Sequence, residues 1–109
     1  MQNDCVIVET TVDSIQLAES LAESMISKGL AACVQVQKVE SFYRWENKIE
    51  RVEEYLLSAK TMAILFRELE EFIEKNHSYD TPEILQIPIV GGSKRYLNWV
   101  QSAAMPPHK

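Results

Sequence analysis

Glycine, proline, cysteine and histidine are all scarce in this chain, with three, four, two and two copies among 109 residues. The two cysteines, Cys5 and Cys33, have neither zinc-finger spacing nor the density of a small secreted framework, so both are expected to be reduced. No Gly-x-Ser-x-Gly element, no Cys-His nucleophile pairing and no histidine-rich metal motif occurs, which argues against an enzyme. Gly91-Gly92-Ser93-Lys94 lacks the spacing of a phosphate loop, and Ser93 reads more simply as a helix cap. Basic residues do not cluster, and 11 of them against 16 acidic ones leave a net charge of −5. That balance argues against nucleic acid or an anionic membrane as a main partner. The apolar run Cys5 to Val8 is too short for a signal core or a membrane span, and Met1-Gln2-Asn3-Asp4 supplies no basic flank. A cytoplasmic chain is expected. With 46% apolar content, residues 1–109 are read as a single domain able to bury its core without staples.

What the chain does have is a β-rich stretch, Leu30 to Thr61, without glycine or proline and centred on the turn Trp45-Glu46-Asn47-Lys48. At about 3.3 Å per residue, the arm from Leu30 to Trp45 would span roughly 50 Å if straight. A domain of this size has a radius of gyration of about 13 Å, so the hairpin must bend sharply or project and pair with other subunits. Asn47 suits the turn because asparagine tolerates positive φ.

Around this hairpin, Cys5 to Thr11 reads as a first strand, and Asp13 with Gln16 as a capping box opening a helix that Gly29 stops. Ile15, Ala18, Leu21, Ala22, Met25 and Ile26 form its buried stripe. After the third strand, through Tyr55 to Lys60, Thr61 is expected to cap a second helix with Met62, Leu65, Leu69, Phe72 and Ile73 inward. Pro82 introduces a fourth strand, Glu83 to Val90, and a short C-terminal helix carries Tyr96, Leu97, Trp99 and Val100. The order βαββαβ predicts an α+β, ferredoxin-like fold: four antiparallel strands with two helices on one face and the other face needing a cover. In the second strand Ala32, Val34 and Val36 alternate with Cys33, Gln35 and Gln37. If the valines meet the helices, Cys33 looks toward the uncovered face.

The chain resembles the CutA divalent-cation tolerance family over nearly its whole length. The residues that carry the resemblance are Thr10-Thr11, Leu30-Ala31-Ala32-Cys33-Val34, Ser41-Phe42-Tyr43-Arg44-Trp45, Glu54 through Lys60-Thr61, His77-Ser78-Tyr79, Pro82-Glu83-Ile84 and Tyr96-Leu97-Asn98-Trp99. The resemblance implies a homotrimer with interlocked hairpins, similar in architecture to PII signalling proteins, and a link to copper and other divalent cations. Departures from the family pattern are Gln35 for asparagine, Gln37-Lys38 for a Pro-Gly break, Ser78 and Asp80 within His-Pro-Tyr-Glu, and Asn47 for the turn glycine. A less sharply bent second strand is expected from the lost Pro-Gly.

Two functional readings follow. In the first, a divalent-cation response protein binds copper(II) or another divalent cation, and a thiolate, an imidazole and a carboxylate that the family pattern marks, Cys33, His77 and Glu83, are the candidate ligands. Each has a plainer alternative: Cys33 as a packed, inert thiol, His77 as a partner of helix-terminal carbonyls, Glu83 as half of a surface ion pair. His108 lies in the tail Met105-Pro106-Pro107-His108-Lys109. In the second, a PII-like signalling or adaptor trimer binds a small anionic or aromatic ligand, or an unknown protein partner, at a cleft lined by Trp45, Lys60 and Tyr79 beside Glu83. There the alternatives are a solvated strand end for Lys60 and subunit packing for Trp45 and Trp99. Neither reading needs an organic cofactor.

Overall fold

A computed structural model describes residues 3–105. Its elements run β1 (Cys5–Val12), α1 (Ile15–Ser27), β2 (Cys33–Trp45), β3 (Lys48–Met62), a 3₁₀ turn (Ala63–Leu65), α2 (Phe66–Asn76), β4 (Leu85–Pro88) and α3 (Lys94–Ala103). The four strands form one antiparallel sheet in the order β2-β3-β1-β4, the expected βαββαβ arrangement.

Period-two alternation sorts the sheet's two faces. Val6, Val8 and Val12 of β1 and Leu57 and Ala59 of β3 form the core with Ala18, Leu21 and Met25 of α1 and Leu69 and Ile73 of α2. Val34 packs on that core, so Cys33 does face the other way, as the alternation implied. α3 partly covers the second face: the Cys5 thiol lies 3.7 Å from the Leu97 carbonyl, and burial together with the neighbouring Cys33 thiol pushes the Tyr96 phenol up. Ile26, expected in the α1 stripe, is 45% exposed instead.

Local chemistry explains how each element starts and stops. Ser14, not Asp13, caps α1, its hydroxyl accepting from the Leu17 amide at 3.1 Å; Asp13 instead accepts from the Ser78 hydroxyl. At the other end Gly29 takes φ 72°, and the Gly29 and Leu30 amides reach back to the Ile26 and Met25 carbonyls at 3.0 and 2.9 Å. This double bond pattern needs a residue that adopts a left-handed conformation without strain, and it brings Leu30 onto Met25. Thr61 does not cap α2. It lies at the end of β3, wholly buried, and donates to the Leu30 carbonyl at 2.7 Å, so α2 begins without a side-chain cap after the 3₁₀ turn. β4 spans only Leu85–Pro88 rather than Glu83 to Val90, because its pairing with β1 covers four residues, Val6 to Glu9, and ends at a proline that has no amide to donate.

The β2–β3 hairpin closes through a two-residue turn with Glu46 at φ 49° and Asn47 at φ 65°, both left-handed, which matches the twist of the strands. β1 pairs with β3 only as far as Val12 opposite Tyr55, so beyond that point the hairpin runs on with β1 no longer beside it. The protomer is 46 Å along its longest axis and its radius of gyration is 14.7 Å, above the roughly 13 Å expected for its length. The hairpin projects. Arg51–Glu40 and Lys38–Glu53 pair across it, in water.

Candidate functional site

Where β1 ends and the hairpin continues, the loop after α2 folds back and a groove of about 890 Å³ opens. Glu54, the first β3 residue beyond the end of β1, is only 7% exposed at its floor. One of its carboxylate oxygens accepts from the Tyr79 hydroxyl at 2.6 Å. Burial, then that hydrogen bond and the charge of Glu54, push the Tyr79 phenol far up, so it stays a donor. Trp45 and Phe42 of the hairpin and Glu83 and Asp80 of the loop complete much of the wall. Partial burial, with the Glu9 and Glu54 carboxylates nearby, pushes the Glu83 carboxyl above the usual range.

His77 positions this loop. β4 reaches along β1 only to Glu9, so the Thr11 carbonyl has no strand partner on that side, and the imidazole Nε2 bonds it at 2.8 Å. Nδ1 accepts from the Tyr79 amide at 3.0 Å, and the two rings lie 4.9 Å apart. With Nδ1 an acceptor, Nε2 is the nitrogen that carries the proton and donates. Both ring nitrogens are therefore committed to backbone, and coordination of a metal would require one bond to break.

The sequence-derived candidates fall into two places. Trp45, Tyr79 and Glu83 share the groove, with His77 behind Tyr79. Cys33 and Lys60 are register partners farther down the sheet, where the Lys60 ammonium donates to the Gln35 side chain. Lys60 is four residues along β3 from Leu56, the partner of Thr11, so Cys33 and His77 are separated by about 13 Å along the strands alone. Among the described residues no three His, Cys, Asp or Glu side chains converge as a metal centre. Within one protomer, Cys33, His77 and Glu83 do not fit a shared ion. His108 lies outside the described residues.

Glu54 stands in a motif that carries the family resemblance but is not among the candidate site residues. Its signal was available: in β3 it shares a face with Leu56, Ser58 and Lys60, away from the valine-rich core face, beside Glu53 which points to water. What no spacing could show is that Tyr79, 25 residues later, lies over it.

Residues 6–103 match the model of the CutA1 divalent ion tolerance protein family. The chain belongs to this family. The divalent-cation tolerance protein CutA of Archaeoglobus fulgidus is 40% identical over 90 residues, covering 83% of this chain and 88% of that protein. The chloroplastic CutA of Arabidopsis thaliana is 40% identical over 99 residues, 90% of this chain but 54% of its own length. The chain thus spans about half the length of this plant relative. Among solved structures, CutA1 from Oryza sativa superposes with a TM-score of 0.88 at 39% identity, covering 94% of each chain. The structure named as the periplasmic divalent cation tolerance protein CutA from Archaeoglobus fulgidus gives 0.89 at 36%, covering 93% of this chain and 99% of that one. This CutA1-family chain shares their ferredoxin-like fold, and among its described residues no helix is long and apolar enough to cross a membrane.

Proposed function

We propose that this CutA1-family protein is a non-enzymatic homotrimer acting in divalent-cation response, and that it binds copper(II) or another divalent cation through groups drawn from more than one subunit. The observation that carries this reading is the family match over residues 6–103, joined to the separation of Cys33 from His77 and Glu83. A thiolate and an imidazole suit copper or zinc, but one protomer does not gather them. Exposed apolar side chains support assembly: Phe42, Trp45 and Ile49 of the hairpin are 64%, 60% and 76% exposed in a single chain. Two free cysteines accord with a reducing, cytoplasmic setting, although relatives carry chloroplastic and periplasmic names.

The test is a chelator-competed copper titration of the reduced protein beside Cys33→Ala and His77→Ala. Saturable binding at a fixed ratio per trimer, lost in Cys33→Ala, supports the reading. Binding that the chelator abolishes, or that neither substitution alters, removes copper from it.

One observation favours a second reading, a PII-like signalling or adaptor module. The groove joins Trp45 and Tyr79, two residues singled out for a ligand cleft, in one concavity of the size small ligands occupy. Lys60 is not part of that wall.

A further inference from the structure

We infer that the groove over Glu54 is a site for a small organic cation, an amine or quaternary ammonium, held by carboxylates and aromatic faces. The inference names the ligand class of that groove, so it rests on the small-ligand reading and not on metal binding.

Three observations converge. First, Glu54 is a carboxylate more than nine-tenths buried, yet among the described residues neither ion pair includes it. Tyr79 holds one oxygen, and the other has no hydrogen-bond donor there. That second oxygen keeps contact with water at the groove, so it is open to a cationic partner entering there, and the Tyr79 hydroxyl supplies no positive charge of its own. Second, Glu83 shares the groove and feels both Glu54 and Glu9, while among the described residues no lysine or arginine lines the wall. The local field thus favours a positive guest and repels an anion. Third, Trp45 and Tyr79 line the same groove, and the aromatic face is the surface that attracts a weakly hydrated cation most strongly when water is excluded. A divalent ion, holding its hydration shell tightly, would gain little from the rings. An alkylammonium uses rings and carboxylates together.

The experiment compares three probes of nearly equal shape on the full chain in the presence of EDTA: choline, its uncharged isostere 3,3-dimethylbutan-1-ol, and the anion 3,3-dimethylbutanoate. Binding is followed by the Trp45 indole N–H resonance, assigned with Trp45→Phe. Saturable binding of choline at least about tenfold tighter than the alcohol, weakened about tenfold by Glu54→Gln and also by Glu83→Gln, is the expected result. Glu54→Gln keeps an oxygen for Tyr79, and Glu83→Gln lies on the exposed wall, so one variant remains informative if the other folds poorly. Equal or tighter binding of the alcohol or the carboxylate overturns the cationic ligand while leaving the small-ligand reading standing. Saturable binding of none of the three overturns both, and is what would be seen if a neighbouring subunit's own lysine or arginine filled the groove.

Discussion

Single residues carry more of this site than their number suggests. His77 spends both ring nitrogens on backbone, so His77→Ala strands the Thr11 carbonyl and frees the Tyr79 amide. Losing such a partner costs about 1 to 3 kcal/mol, and urea denaturation should show a loss in that range whether or not metal is present. A loss confined to metal-loaded protein would instead mark His77 as a ligand. Glu46 holds φ 49° with a Cβ that makes the conformation unfavourable. Glu46→Asn should therefore raise stability by about 0.5 to 1 kcal/mol in the same assay. Glu83 gives the pH dependence. Its carboxyl is raised in the folded state by burial and by Glu9 and Glu54, so the folded protein binds that proton more tightly than the unfolded chain does. The stability from Glu83 is present below the ordinary carboxylate range and is lost as pH rises through the folded value. Glu83→Gln should consequently shift the urea midpoint upward at neutral pH at fixed protein concentration, with the difference disappearing in acid. An equal shift at both pH values would assign the effect to packing.

At the scale of elements, the junctions matter more than the elements. α1 ends in a glycine-dependent motif that delivers the Leu30 carbonyl to Thr61, tying the entry to β2 to the end of β3 across 31 residues. Thr61→Val keeps shape and loses the donor, leaving a buried carbonyl unpaired; about 1 to 3 kcal/mol should be lost in thermal or chemical denaturation. Thr61 also shows how a sequence signal misleads: threonine before a helical pattern reads as a cap, yet burial at the strand's end gave its hydroxyl a different acceptor. β4 was overextended for a related reason, since Glu83-Ile84 and Ile89-Val90 look strand-like while the partner strand is spoken for by only four residues.

The whole molecule is a small core with a long arm. Val6, Val8, Leu57 and the α1 and α2 stripes make one compact centre, and the hairpin leaves it carrying large apolar side chains into water. Such a surface is unfavourable for a lone chain. Light scattering at micromolar concentration should give about three times 12.5 kDa, and a monomer there would remove the trimer from the proposal. Assembly that covers the arm, as proposed, would make denaturation midpoints rise with protein concentration.

Residues close in sequence determined the helices, the strands and their order, because amphipathic periods, Gly29 and Asn47 act over a few positions. The long hairpin and the outward face of Cys33 followed from the same local alternation. The tertiary structure alone decided the site. Tyr79 reaches Glu54 across 25 residues and His77 reaches Thr11 across 66, and such contacts depend on where β1 stops relative to the hairpin. That difference in strand length leaves a buried carboxylate beneath aromatic walls, and no pattern along the chain encodes a space between two segments so far apart.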